Sequence, residues 1–104
     1  MISISKEVLL ARLSNEFGYP PHGAELIATD LTALAPALQV AFELWWTSGQ
    51  ISPLIIEGYN IETLMREHGM NPIAAILTLD WLVREPEPAK ASLKRGHDRV
   101  TMTP

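Results

Sequence analysis

Apolar residues recur at intervals of three and four along most of the chain, which is the period of one face of an α-helix. Leu9, Leu13 and Phe17 form the first such stripe, and Gly18 follows it as a residue type that ends helices readily. A second stripe, interleaved with polar positions, predicts a surface helix over residues 22–34. The pattern therefore predicts two amphipathic helices that are separated by a short turn.

Two later segments are apolar around most of the helical cylinder. The segment that begins at Pro36 leaves one narrow polar line, and the segment that begins at Pro72 has only Thr78 and Asp80 as polar positions across its middle. Proline is tolerated in the first turn of a helix, so both segments are predicted to be helices. Because neighbours must cover them on several sides, we expect these two helices to be central.

Residues that begin and end helices divide the region between those two segments. Asn60 and Asn71 are N-cap residue types, and Gly69 supplies a C-cap between them, which predicts a short helix over IETLMREH. Residues 51–59 contain isoleucines typical of strands, but they also contain Pro53 and have no second strand to pair with. We expect an extended crossover there.

The C-terminal part of the chain predicts a further short element and a tail. Pro86 and Pro88 end the preceding helix, residues 88–96 add one or two amphipathic turns, and residues 97–104 predict a flexible tail. The fold predicted from these elements is all-α, an irregular or orthogonal bundle of five or six short helices. It forms a single domain over residues 1–96.

Composition places the chain among ordinary globular proteins, with 47% hydrophobic and 19% charged residues in 104. The absence of cysteine excludes disulfides, thiolate zinc sites and cysteine nucleophiles. The N-terminal residues do not follow a signal-peptide pattern, and the longest uncharged apolar run, residues 73–79, is much shorter than the about 20 residues of a membrane span. We therefore expect a cytoplasmic protein with no membrane partner.

Charge is distributed unevenly along the chain. Residues 1–83 carry nine acidic and three basic side chains, for a net charge of −6, whereas residues 84–104 carry five basic and three acidic ones, for +2. An acidic body argues against a surface built wholly to attract phosphates. The basic end could fold back on the body, bind an acidic partner or stay solvated, and the last is the usual behaviour of a short terminus.

No residue pattern indicates catalysis, a cofactor or a metal. His22, His68 and His97 have no partner at ligand spacing, and Glu85 and Glu87 only flank a helix-ending proline. The serines lie in no nucleophile-elbow motif. We therefore predict that the chain is not an enzyme and has no catalytic, cofactor-binding or metal-binding residues.

Residues 61–84 have the outline of a helix-turn-helix. The second helix of the pair offers few side chains that could read bases or bind phosphates, so a buried helical hairpin explains the pattern better. A nucleic-acid-binding regulator remains the alternative function, in which the helix pair would fit the shape of the nucleic acid. Its phosphate contacts would then come from four residues near the C-terminus: Lys90, Lys94, Arg95 and Arg99.

Two segments resemble parts of ubiquitin-associated domains. GMNPIAAILTLDWL, residues 69–82, is similar to the last helix of those domains, and FGYP, residues 17–20, is similar to the loop between their first two helices. The two segments lie in different halves of the chain, at a spacing that does not reproduce one three-helix unit. The resemblance implies a small helical interaction fold and carries no prediction of ubiquitin binding.

The adjacent residues Trp45 and Trp46 raise the question of which indole is buried. Neighbouring helical side chains point about 100° apart. Trp45 shares the stripe of Phe42 and is predicted to lie in the core, which places Trp46 at the border of the buried arc. Either residues 51–59 fold back over Trp46, which we favour, or the indole joins a surface that another molecule covers.

Two helices that are apolar almost all round need more cover than the remaining short helices of a 104-residue chain provide. Self-association through a two-fold helical interface would supply that cover. The sequence therefore predicts a protein–protein interaction module that acts as a homodimer or as an adaptor for another protein. The predicted interface residues are Phe42, Trp46, Ile76, Leu79 and Leu82.

Overall fold

Six α-helices make up the described part of the chain in the computed structural model, which covers the backbone of residues 4–102 and the side chains of residues 4–95. In chain order the helices are α1 (Lys6–Asn15), α2 (Pro21–Thr32), α3 (Pro36–Ser48), α4 (Ile61–His68), α5 (Pro72–Arg84) and α6 (Pro86–Met102). The predicted all-α, single-domain fold is confirmed.

The starts of three helices are fixed by side-chain caps, and two of these caps, Asn60 and Asn71, lie at predicted positions. The side-chain oxygens of Ser5, Asn60 and Asn71 accept hydrogen bonds from the backbone N–H groups three residues later, at 3.2, 2.7 and 2.8 Å. Each cap satisfies a backbone donor that has no partner within its helix, and a cap of this type contributes about 1 kcal/mol. The caps explain why α1, α4 and α5 begin where they do.

The segment between α3 and α4 is an extended crossover, as predicted. Gly49 ends α3 in the left-handed conformation, with φ +74°. The crossover closes with a tight turn at Glu57 and Gly58, whose φ angles are +52° and +82°, and Ile56 and Tyr59 exchange two backbone hydrogen bonds across it at 2.8 and 2.9 Å. Within residues 4–102 this isolated bridge is the nearest approach to a strand pair.

Helix α5 is central, because it packs against α3, α4 and α6, while α1 packs mainly on α2. Five of its residues are buried, and together with apolar residues from the other helices they form one continuous core. The largest side chains that are fully buried in this core are Leu9, Leu13, Leu31, Leu38, Phe42, Ile61, Leu64, Ile73, Ile76, Leu79 and Leu82.

Helix α6 is longer than the one or two turns predicted. Glu85 breaks the helical path after α5, with φ −139° and ψ 72°. Pro86 and Pro88 then stand in the first turn of a new 17-residue helix, where a proline loses no intrahelical hydrogen bond. The helix crosses the predicted boundary at residue 96 and continues to Met102; the flexibility predicted for residues 97–104 stays a prediction, and residues 103 and 104 lie outside the described residues.

Candidate functional site

The five residues predicted to form an interface all lie in the core. Phe42, Ile76 and Leu79 have no exposed surface, Leu82 retains 1% and Trp46 retains 6% of their surface. Helices α3 and α5 turn the faces that carry these residues toward each other and the interior. These side chains are therefore not exposed on the surface of the single chain, and their role in an interface stays a prediction.

Trp46 is covered by groups from α1 and from the turn that follows it. The guanidinium of Arg12 lies 4.3 Å from the centroid of the Trp46 ring, and its Nη1 donates a 2.8 Å hydrogen bond to the Trp46 carbonyl. The ring of Phe17 stacks on Trp46 at 6.3 Å, and Phe42 approaches it at 5.2 Å. The burial we favoured is present, but these contacts assign the cover to α1 and Phe17, where we had expected it from residues 51–59.

Trp45 is only partly buried, which reverses the predicted roles of the two adjacent indoles. Its ring packs against Phe17 at 5.7 Å and against Phe42 at 6.3 Å, and it remains at the border of the core. The reversal follows from the position of α1, which lies on the Trp46 side of α3. The spacing of apolar residues within α3 does not specify on which side of α3 a helix distant in sequence packs.

The third tryptophan, Trp81, is the most exposed of the three. Its side chain is 36% exposed, and its Nε1 donates a 3.2 Å hydrogen bond to Oε2 of Glu85. Leu77, one turn earlier on α5, is half-buried beside it. Because α5 is apolar on most sides, its sequence pattern did not predict that the face around Trp81 is exposed. The one signal of an exposed face was Thr78, one turn before Trp81.

Trp81 lies in a surface cleft between the end of α2 and the middle of α5. The cleft has a volume of 270 Å³, and we call it the Trp81 cleft. Leu26, one turn before Asp30 on α2, is 56% exposed but does not line the cleft. The residues that line the cleft are Asp30, Ala33, Leu77, Asp80, Trp81 and Arg84.

A polar clamp fixes one wall of the Trp81 cleft. Oδ1 of Asp80 accepts a 2.8 Å hydrogen bond from the backbone N–H of Ala35, and Oδ2 accepts one of 2.8 Å from Nε of Arg84. Arg84 also donates from Nη2 to the carbonyl of Ala33. These bonds tie the connection between α2 and α3 to α5 across 45 to 51 residues of sequence, so the wall is preorganised.

The electrostatic balance of the Trp81 cleft is acidic. Arg84 is neutralised by Asp80, whereas the side chain of Asp30 is exposed and has no hydrogen-bond or ion-pair partner among the described residues. Glu85 adds a further carboxylate at the indole N–H of Trp81. With three carboxylates and one guanidinium, the cleft and its rim carry a net charge of about −2 at neutral pH.

The basic residues predicted for nucleic-acid binding lie along α6. Lys90 makes ion pairs of 3.0 Å with Glu57 and 3.4 Å with Glu87. Lys94 and Arg95 are exposed, and their side chains make no hydrogen bond or ion pair with the described residues. The side chain of Arg99 lies outside the described part. One of the four predicted phosphate contacts is therefore already occupied by carboxylates.

The histidines do not converge on one site in the described residues. His22 is exposed at the start of α2, and the ring of His68 lies 6.1 Å from that of Tyr59 in an edge-on contact. The side chain of His97 is outside the described part. Among the described residues no group of three or more His, Asp or Glu side chains is placed to hold a metal ion.

In comparisons with known proteins, no family model, curated protein or solved structure matches the chain. Within residues 4–102, none of the helices combines the length and the apolar character needed to cross a bilayer. The candidate site therefore stands on the geometry and chemistry of the Trp81 cleft.

Proposed function

We propose that this protein is a small helical protein–protein interaction module that associates with a second copy of itself through the Trp81 cleft. The observation that carries the proposal is the exposed Trp81, beside Leu77, on a wall held rigid by the Asp80–Arg84 clamp. Tryptophan and arginine are the residue types most often found at the energetic centres of interfaces, and a preorganised wall lowers the cost of binding.

The exposed part of Trp81 is large enough to matter for association. A tryptophan side chain buries up to about 250 Å², so the 36% exposure of Trp81 leaves roughly 90 Å² of its surface for a partner to cover. At about 25 cal/mol per Å², covering that area is worth roughly 2 kcal/mol. That value is comparable to the threshold for a hot-spot residue.

The mass of the protein in solution, measured by light scattering over a range of concentrations, tests the proposal. We expect the wild type to reach twice the 11.5 kDa chain mass, and we expect Trp81→Ala to raise the dissociation constant at least tenfold. Val40→Ala is the matched control, because Val40 is 69% exposed on α3 and lies outside the cleft. A wild type that stays monomeric at millimolar concentration would overturn the proposal.

The proposal includes a cytoplasmic location and assigns no catalytic, cofactor or metal role. The nucleic-acid alternative keeps one observation in its favour, which is the exposure of Lys94 and Arg95 without partners among the described residues. Retention on heparin that collapses at modest salt would support that alternative, and passage through the column at low salt would remove it.

A further inference from the structure

The charge of the Trp81 cleft restricts what can occupy it. If two copies met cleft to cleft, the carboxylates of Asp30 and Glu85 would face the same groups of the partner, and Arg84 is already engaged by Asp80. Like charges that are brought together at an interface oppose association and select against that partner. The occupant that complements the cleft therefore carries cations next to an apolar or small side chain.

One face of α6 in this same chain has that chemistry. Ala89 and Leu93 are buried against the body, and residues on the opposite side of the helix point outward. We call the exposed residues Ala91, Lys94 and Arg95 the cationic face of α6; Lys94 lies at the edge of this face, where it also lines a surface cleft with Glu67 of α4. All three are exposed, and neither cation has a side-chain partner among the described residues.

We propose that the Trp81 cleft of one copy receives the cationic face of α6 from a second copy, an inference that rests on the proposed function. The guanidinium of Arg95 stacks on the exposed indole of Trp81, and the ammonium of Lys94 pairs with the free carboxylate of Asp30. Ala91, with its small side chain, lets the helix approach the cleft closely.

The protein already contains, at the edge of its core, a pair of the kind proposed for Arg95 and Trp81. Arg12 lies 4.3 Å from the ring centroid of Trp46 and also binds backbone on α3. A cation over an indole is attracted by the negative ring face, and the aliphatic stem of the cation covers apolar surface. At the cleft, the stem of Arg95 would cover Leu77 in the same way.

A two-fold axis would make this contact occur twice in a dimer. Each copy then supplies one cleft and one cationic face, so both acidic surfaces are neutralised and the assembly closes at two chains. Two such contacts bury twice the area of one. A single shallow cleft of 270 Å³ could not by itself provide the buried area that a stable interface needs.

Charge exchange between Asp30 and Lys94 tests the proposed occupant. We expect Asp30→Lys and Lys94→Glu each to raise the dissociation constant of the homodimer at least tenfold, because each variant places like charges in contact. Mixing the two variants in equal amounts restores a dimer with an affinity close to wild type. In that heterodimer one contact pairs the introduced lysine with the introduced glutamate, and the other keeps the original pair.

Light scattering and sedimentation read out the masses, and circular dichroism verifies that both variants keep the helical content of the wild type. The new lysine stands near the C-terminus of α2, where a cation is favourable, so folding is preserved. Arg66→Glu, at an exposed position of α4 that does not line the Trp81 cleft, is the control for a charge reversal as such and is expected to leave the dimer intact.

The outcomes separate this inference from the proposed function. A wild-type dimer that Trp81→Ala disrupts, but that Asp30→Lys and Lys94→Glu do not, retains the Trp81 cleft as the interface and overturns α6 as its occupant. Two charge variants that dissociate but fail to recombine when mixed also overturn it. A monomeric wild type overturns both proposals together.

Discussion

The guanidinium of Arg12 lies 4.3 Å from the centre of the Trp46 ring and donates a 2.8 Å hydrogen bond to the carbonyl of that same residue. Two contacts of different kinds therefore join α1 to the end of α3 at one point. Arg12 is also held by Glu16 at 2.8 Å and is 32% exposed. These contacts keep the most buried tryptophan of the chain in place.

We expect Arg12→Ala to lower the free energy of unfolding by about 1–2 kcal/mol, because it removes a cation–π contact and a hydrogen bond to a carbonyl. Urea unfolding followed by tryptophan fluorescence measures the loss. Arg12→Lys should retain part of the stability, since the charge remains but the planar group that spans ring and carbonyl is lost.

The control for this prediction is Arg66→Ala. Arg66 makes ion pairs with Glu62 and Glu67, but it is 63% exposed and stacks on no aromatic ring among the described residues. Exposed ion pairs of this kind contribute about 0.5 kcal/mol or less. Similar losses in Arg12→Ala and Arg66→Ala would show that the contact with Trp46 adds nothing beyond a surface charge.

Local sequence signals were sufficient to predict most helix boundaries. Asn60, Asn71 and Gly69 act over one turn, and each occupies the capping role that its residue type favours. The prediction for Pro86 and Pro88 considered only their effect on the helix that precedes them. They end α5 as predicted, but the same fixed φ that stops a helix also suits the first turn of the next one.

The location of exposed apolar surface could not be predicted from local signals. Trp46 and Trp81 stand at similar positions near the ends of two apolar helices, yet one is 6% and the other 36% exposed. The difference depends on where α1 and α2 pack, and it is carried by Arg12 and Asp80, whose partners lie 34 and 45 residues away. Helical periodicity specifies which side chains share a face, but not which helix covers that face.

A pH-dependent contact at the start of α6 gives a second prediction. The hydrogen bond from Lys90 to Glu57 first, and then that to Glu87, raise the pKa of Lys90 above its usual 10.5. A group whose pKa is raised by folding stabilises the folded state fully below the unfolded pKa, and this contribution is lost as pH rises through the folded pKa. The contact therefore operates throughout the neutral range and weakens only in strongly alkaline solution.

NMR titration of the Lys90 side chain measures this pKa directly. We expect Glu57→Gln to lower the pKa more than Glu87→Gln does, because the Glu57 carboxylate is nearer, at 3.0 Å against 3.4 Å. Equal effects of the two substitutions would contradict the order of the two contacts.

Adjacent residues on α5 separate the core from the proposed interface. Leu82 is 1% exposed and belongs to the core, so Leu82→Ala should lower the free energy of unfolding by about 2–5 kcal/mol through lost burial and a cavity. Trp81 is 36% exposed and lines the cleft, so Trp81→Ala should raise the dissociation constant of the dimer, whereas Leu82→Ala should leave that constant unchanged. Urea unfolding at low protein concentration measures the first quantity without the contribution of association, because dimer formation itself stabilises the folded state. If Leu82→Ala left stability intact and instead weakened self-association, the buried residues of α5 would be the interface after all, and the monomer packing described for α5 would not be the arrangement in solution.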